Sequence, residues 1–319
     1  MCGIFGYIGK REAYPIIING LKRLEYRGYD SAGISVLNDK ILVKKTAGKV
    51  SDLEALVNPI LEGNIGIGHT RWATHGEPNT INAHPHFSGD KKIALIHNGI
   101  IENYDVLKEA LILKGHVFIS DTDTEVLVHL IEEIKKNEKL DLFQAVRLAL
   151  NEIVGAYAIA VIEEKKDKII VARKGSPLVI GVGDEEYFIA SDSSPIIEHT
   201  RDVVFLEEGE IAEISSKLEV RNIENISKTP YIEELEIDLE NIEKGSYSHF
   251  MLKEIFEQPK SIVETLRGRI DPLTHEIILG GIFDYQTNIQ NANRIIIVAC
   301  GTSWHAAQIG SYILEELYG

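Results

Sequence analysis

The sequence predicts an α+β fold in which two stacked, mostly antiparallel sheets are covered by helices. Three observations carry that prediction. Short apolar strands punctuated by turn residues occur before Asn103 and again after Gly155. Between them lie segments of helical periodicity, at Asn103–Leu113, Val126–Ile131 and Leu140–Leu150. Strand runs at both ends with helices interposed suit two sheets packed on each other with helices outside. The composition, 44% hydrophobic and 26% charged, is that of a soluble globular protein with a substantial core.

Taken in order, Cys2–Ile8 reads as a buried strand whose glycines permit close backbone approach. Glu12–Leu24 places Ile16, Ile17, Leu21 and Leu24 at helical spacing. A polar loop from Leu24 to Gly33 leads into the strand Ile34–Leu37, and Asn38-Asp39 turns it into Ile41–Lys45. Ser51 and Asp52 open a short helix ending at Leu56. Ile65–His69 is strand-like, and Thr70–Asn79 is a long loop dense in polar and aromatic groups. Such loops carry function, because their backbone is not easily satisfied inside a core. Ile93–Ile96 is a buried strand running into His97-Asn98-Gly99. The acids and hydroxyls of Ser120–Glu125 cap the helix that follows. Beyond Gly155 come short strands at Ala156–Ile162, Ile169–Ala172, Leu178–Val182, Tyr187–Ala190, Val203–Phe205 and Glu210–Ile214.

The character changes at 224–244, where the acidic run 233–240 reads as a solvated connector. After it, Phe250–Phe256 and Ser261–Leu266 read as two helices split by Gln258-Pro259. Ile295–Ala299 is a fully apolar strand. It passes through Cys300-Gly301-Thr302-Ser303 into a helix from Trp304 to Leu317, as at the start of a parallel α/β unit.

Composition also narrows the partners. Acidic residues outnumber basic ones, 49 to 33, for a net charge of −16. That argues against nucleic acid and against an anionic membrane surface. A small phosphorylated ligand stays open, since backbone N–H groups alone can bind it. The only two cysteines, Cys2 and Cys300, make no disulfide framework and fit a reducing compartment. No run of about 18 apolar residues offers a membrane span, and no basic-then-apolar leader opens the chain. A cytoplasmic location is expected.

The chemistry concentrates at the N-terminus. If Met1 is trimmed, Cys2 unites a thiol with a free α-amine whose pKa is about 7.7–8.0, a nucleophile and its base in one residue. The other reading is a small buried hydrophobe opening a strand. A thiolate attacking an amide also needs donors for the developing oxyanion, and the Asn98 side chain with the Gly99 N–H would supply two. A simple turn explains the same pair. For an amino-acid substrate, Arg71 suits the carboxylate and Asp123 the ammonium. The alternatives are a surface ion pair for Arg71, and helix capping for Asp121 and Asp123. The histidines at 69, 75, 84, 86 and 97 raise a metal hypothesis, but their spacing matches no zinc pattern. They read as polar scaffolding, with no metal and no cofactor called for.

Together these motifs reach a family. Cys2-Gly3-Ile4-Phe5-Gly6, the run Glu25–Gly33, Gly68–Gly76, His97-Asn98-Gly99 and Thr122-Asp123-Thr124-Glu125 occur in the order found in class II, N-terminal nucleophile glutamine amidotransferases, which the chain resembles over residues 2 to about 220. The resemblance implies a four-layer αββα sandwich. It implies Cys2 as nucleophile with its own amine as base, Asn98 and Gly99 as oxyanion hole, and Arg71, Trp72, Thr74, His75 and Asp123 around glutamine.

Downstream, His249–Pro259 and Ala299–Ser303 resemble the members of that family that aminate fructose 6-phosphate and carry sugar isomerase modules, although Leu252 stands where a Gln is expected. This implies an amidotransferase domain at 2–222, a linker at 223–245 and, at 246–319, the truncated start of an isomerase domain. Cys300, Gly301, Thr302 and Ser303 would then hold a sugar phosphate, and the complete enzyme would dimerise through its isomerase half. The expected function is glutamine-dependent synthesis of glucosamine 6-phosphate, with this chain carrying the glutamine-hydrolysing half. The competing functions are an N-terminal cysteine amidase, a class II amidotransferase with another acceptor, and a non-enzymatic glutamine sensor.

Overall fold

The computed structural model describes residues 2–57, 61–73, 76–235, 246–266, 274 and 285–318. They fall into two compact units, 1–243 and 244–319.

The first strand explains why the larger unit is layered. β1 (Gly3–Ile8) sends Phe5 and Tyr7 to one face and Ile4 and Ile8 to the other, and all four are buried. A strand apolar on both faces must be covered on both. Over Phe5 and Tyr7 lies α1 (Ala13–Leu24), which contributes Ile17, Leu21 and Leu24. The helix sits close because Gly20 faces the Phe5 ring, where a Cβ would come within 2.5 Å of Cγ. Ile4 and Ile8 face a second sheet.

The remaining elements complete this plan. β2 (Ser31–Leu37) and β3 (Ile41–Ala47) form the expected hairpin, followed by α2 (Val50–Leu56) and β4 (Ile65–Arg71). Next come β5 (His86–Phe87), β6 (Ile93–Ile101), α3 (Tyr104–Leu113), α4 (Asp123–Glu138) and α5 (Leu142–Glu152). The chain then adds β7 (Gly155–Glu163), β8 (Ile169–Lys174), β9 (Val179–Val182), β10 (Tyr187–Ala190) and β11 (Asp202–Phe205). Last are β12 (Glu210–Ile214), β13 (Leu218–Asn222), β14 (Ser227–Lys228) and β15 (Glu233–Glu234).

One sheet runs β15-β11-β9-β10-β1-β4-β2-β3 and the other β14-β13-β12-β8-β7-β6-β5, with every recorded pairing between strands antiparallel. Three separate cores fill the gaps. α1 and α2 pack on the first sheet through Leu21, Leu24 and Leu53. Ile4, Ile67, Ile96, Ala158 and Ile180 fill the space between the sheets. Leu127, Ile131, Phe143 and Val146 of α4 and α5 cover Leu95, Ile159 and Ile170 of the second sheet. Three interfaces make four layers, αββα. Each fully buried aliphatic or Phe side chain contributes about 1.5–3 kcal/mol, against about 0–1 for a surface ion pair. The layers are therefore held by their cores. Among the described residues no helix is long and apolar enough to cross a membrane.

The smaller unit departs from expectation twice. Phe250–Leu266 is one helix, α6, with Pro259 inside it, where two were expected. Proline removes one N–H and crowds the carbonyl four residues back, at about 3 kcal/mol, yet a helix can absorb this without ending. Ser261 Oγ and Thr265 Oγ1 bond the carbonyls of Gln258 and Ser261 within it (3.1 and 2.7 Å). Ile295–Ala299, expected as a strand, has no strand structure, and Val298 is 90% exposed. A parallel strand needs neighbours on its edges and cover on its faces, and among the described residues nothing pairs with this run. The other elements of the unit are α7 (Gln286–Gln290) and α8 (Thr302–Tyr318).

Candidate active site

The antiparallel pairing of β1 with β4, which sets Gly3 opposite Thr70, brings Cys2 beside Arg71 and Trp72. The Trp72 N–H donates to Cys2 Sγ at 3.3 Å, and the Trp72 carbonyl lies 3.5 Å from the same sulfur. Gly28 packs on that peptide so closely that a Cβ there would come within 2.7 Å of Arg71 C and Trp72 N. Asp30 takes the Ala73 N–H (2.9 Å), fixing the chain just beyond.

The second sheet supplies the opposite wall. Asn98 and Gly99 lie inside β6, paired with Ala158 and Tyr157, and so do not form a free turn. Gly99 has φ +142°, and a Cβ would meet the Ala156 carbonyl at 2.0 Å, so only glycine fits. Asn98 Nδ2 donates to the Cys2 carbonyl at 3.1 Å, as does Arg27 Nε at 3.2 Å. His69 Nε2 meets two acceptors, Asn98 Oδ1 at 2.9 Å and the His97 carbonyl at 3.2 Å, so this nitrogen carries the proton. That bond fixes which way the Asn98 amide points. Burial drives the His69 pKa down to about 3, so the ring is neutral.

The third contribution comes from the start of α4. Thr122 is its N-cap, its hydroxyl accepting the Glu125 N–H. Asp121 and Asp123 do not cap it: Asp121 pairs with Asn82, and Asp123 Oδ2 takes the Ile101 N–H at 2.8 Å. A cavity of about 20 Å³, room for one water, is lined by Cys2, Arg71, Trp72, Gly99, Asp123 and Thr124, with His84 and His97. Arg71 is nearly fully buried and donates to the carbonyls of Glu77 and Gly76 at 3.3 and 3.4 Å. Trp72 is half exposed and meets Tyr29 edge-on.

Burial pushes the Cys2 thiol up, while the Trp72 amide and then Arg71 and Arg27 pull it down. The net shift is upward, so the resting sulfur is a thiol in need of a base. His84 and His97 are poor bases, since burial holds His84 well below the usual imidazole range and His97 below it. Asn98 meets His69 and Thr122 meets His86, while His97 Nδ1 meets Thr124 and His84 Nδ1 accepts the His97 N–H.

Of the residues singled out from sequence, Cys2, Arg71, Trp72, Gly99 and Asp123 line one cavity, and Asn98 touches Cys2. Thr74 and His75 lie outside the described residues. Cys300, Gly301, Thr302 and Ser303 belong to the smaller unit. There Gly301, at φ +62°, accepts the Trp304 and His305 N–H groups as α8 begins, and Cys300 is exposed. Sequence reasoning missed His69 as the partner of Asn98, and the signal that would have found it is register, since it sits opposite Ile4. It also missed Arg27, Asp30 and the Trp72 amide.

The chain is similar to several known proteins. Residues 51–248 match the family described as the glutamine amidotransferase domain. A glutamine–fructose-6-phosphate aminotransferase (isomerizing) of Bacteroides thetaiotaomicron is 57% identical, covering 99% of this chain and 52% of that protein. A protein of the same name from Pyrococcus horikoshii is 48% identical, with 99% and 52% covered. The chain spans about half the length of these relatives. The solved glutamine phosphoribosylpyrophosphate amidotransferase of B. subtilis, complexed with ADP and GMP, superposes with a TM-score of 0.61. It shares 30% identity over 70% of this chain and 49% of its own.

Proposed function

The chain belongs to the glutamine amidotransferase domain family, and on that footing we propose that it hydrolyses the side-chain amide of glutamine at Cys2. The supporting observation is the convergence on one cavity of a thiol held by a backbone amide and of Gly99, Arg71 and Asp123, with Asn98 locked beside it by His69.

With Met1 removed, the α-amine of Cys2 takes the Sγ proton, directly or through one water. Sulfur adds to the amide carbon, and the carbonyl electron pair moves onto oxygen. Asn98 Nδ2 has two protons. One serves the Cys2 carbonyl, and the other, with the Gly99 N–H, meets the oxyanion. The ammonium returns its proton to the leaving nitrogen, the C–N bond breaks, and ammonia departs from a γ-glutamyl thioester. Water then attacks the thioester, its proton goes to the same amine, and glutamate leaves as the thiol is restored. Arg71 binds the substrate carboxylate and Asp123 its ammonium. Trp72 shields the cavity mouth, with Thr74 and His75 completing the pocket.

The names of the 57% and 48% identical relatives support fructose 6-phosphate as the ammonia acceptor and glucosamine 6-phosphate as the product of the complete enzyme. On that reading residues 2–222 are the amidotransferase domain, 223–245 a linker and 246–319 the start of a sugar isomerase domain. In that domain residues 300–303 contact the sugar phosphate at a helix N-terminus. The complete enzyme is then a cytoplasmic homodimer. This chain alone should release ammonia from glutamine and make no glucosamine 6-phosphate.

Mass spectrometry after incubation with a glutamine-like diazoketone tests the nucleophile. The expected product is a single adduct on Cys2 in a chain lacking Met1. An adduct on Cys300, or labelling of a chain that keeps Met1, overturns the assignment.

A further inference from the structure

A second and larger cavity, about 660 Å³, opens beside α4 away from Cys2, and two of its histidines converge with a carboxylate. His116 arrives there because Gly115, at φ +93°, terminates α3 and turns the chain back, with the His116 N–H bonded to the Leu111 carbonyl at 3.1 Å. His129 and Glu132 stand three residues apart on α4 and so share a face of the helix. The two imidazoles present the same atom to each other, Nδ1 to Nδ1 at 2.9 Å. Glu132 Oε2 lies 3.7 Å from His116 Nδ1 and 3.6 Å from His129 Nδ1.

Those separations discriminate between two uses of the cluster. A hydrogen-bonded histidine pair employs one shared proton and leaves the carboxylate oxygen too far from both nitrogens for a hydrogen bond. Around a tetrahedral zinc ion, with ligand bonds of about 2.0–2.2 Å, neighbouring ligand atoms stand about 3.3 Å apart. The three observed separations bracket that value.

The surroundings fit the second use. His129 Nε2 lies 3.7 Å from Glu125, beyond a hydrogen bond, whereas His116 turns its outer nitrogen to a carboxylate within bonding reach, Nε2 to Glu133 at 3.2 Å. That is the arrangement which orients a metal-bound imidazole and fixes its tautomer. Glu132 is itself held, Oε2 by the Gly89 N–H (2.8 Å) and Oε1 by the Asp90 N–H (3.0 Å). The open cavity leaves room for water as a fourth ligand. Lys114 sits on Glu133 at 3.1 Å, so it balances an outer carboxylate and leaves the three inner ligands clear.

We propose that His116, His129 and Glu132 form a structural site for a zinc-like divalent transition metal. The donor set, two imidazoles and one carboxylate, suits zinc, cobalt or nickel better than calcium or magnesium. The ion would tie the turn after α3 to α4, and through Glu132 to the turn before β6. It does not take part in the proposed hydrolysis.

The test uses the full chain carrying Cys2→Ser and Cys300→Ser, so that no thiol competes for the ion. Zinc is titrated against a chromophoric chelator, and cobalt binding is followed by its visible absorption. The expected result is one zinc per chain and a melting temperature that rises with zinc concentration. His116→Gln and Glu132→Gln, each melting like the parent in chelator, should weaken zinc at least about tenfold and remove the cobalt band. Equal affinity in parent and His116→Gln, or melting indifferent to zinc in the parent, overturns the proposal.

Discussion

α4 borders both cavities, and the two are built in opposite ways. At its N-terminus Thr122, Asp123 and Thr124 close a space of about 20 Å³, where neighbouring polar groups are already bonded to one another. Further along, His129, Glu132 and Glu133 face about 660 Å³, with carboxylates and imidazoles that still have bonding capacity. The first arrangement suits a reaction, because desolvated and pre-oriented dipoles need no reorganisation when charge develops. The second suits an ion, because it offers lone pairs in an open bay. Histidine count alone would not have separated them. What separates them is what each ring nitrogen faces.

The sharpest way to divide the two cavities is to remove the sulfur. Cys2→Ala should lower glutamine hydrolysis by at least about 10⁴-fold and leave the melting response to zinc unchanged, since distant sites act independently. Ammonia release decides the first half, and melting temperature with and without zinc decides the second. Next in size, Asn98→Ala should lower kcat by about 10²–10³-fold with KM nearly constant, as steady-state kinetics will show. Asp123→Asn should lower kcat/KM by roughly 10–100-fold, mostly through KM; an unchanged KM would remove the ammonium contact.

Acid should break the small cavity. His69 has its folded pKa depressed to about 3 from an ordinary 6.5, so the folded state binds fewer protons than the unfolded one. Its stabilising contribution is complete above about pH 6.5 and lost progressively as pH falls towards 3. At pH 5 the loss is on the order of 2 kcal/mol, and His84, His86 and His97 act in the same direction. Glu125 adds to this at lower pH. Burial raises its pKa, but bonds from His129, Ser120 and Ile119 outweigh that and hold it at about 2, so its share disappears between pH 4.5 and 2. Urea midpoints between pH 7.5 and 4.5 should fall steadily, and a flat profile would contradict neutral buried rings. The smallest effect is expected away from both cavities. Asp141→Ala removes the α5 N-cap, whose Oδ1 accepts the Gln144 N–H at 2.9 Å, and should reduce stability by about 1 kcal/mol with activity intact.

Sequence revealed most where local pattern and burial coincide. Phe5 and Tyr7 alternating with Ile4 and Ile8, the Ile17–Leu21–Leu24 stripe and the Asn38-Asp39 turn each announce their element without help from distant residues. Pro259 and Ile295–Ala299 misled because their outcome depends on context: a helix can absorb a proline, and an apolar run without partners is not a strand. β13 through β15 were overlooked because their short, polar-rich strands are defined by pairing, β13 to β12, β14 to β13 and β15 to β11. Within the site, side chains with distinctive chemistry were legible, as with Cys2, Asn98 and Asp123. Contributions made by backbone or by register were not, as with the Trp72 amide, His69 opposite Ile4, and Arg27 on the Cys2 carbonyl. His116 and His129, thirteen residues apart across a helix end, follow no local spacing rule.

The central position of β1 has a consequence for biosynthesis. Its two edges are closed by β4 and by β10, and Phe5 pairs with Ala190. β1 therefore waits for one of its permanent neighbours until some 185 further residues have been translated. At about 5–20 residues per second that interval is on the order of ten seconds or more. The removal of Met1 that the proposed hydrolysis requires would fall in this window. Nascent fragments shorter than this carry the Cys2 thiol at the head of a strand that still has one edge open.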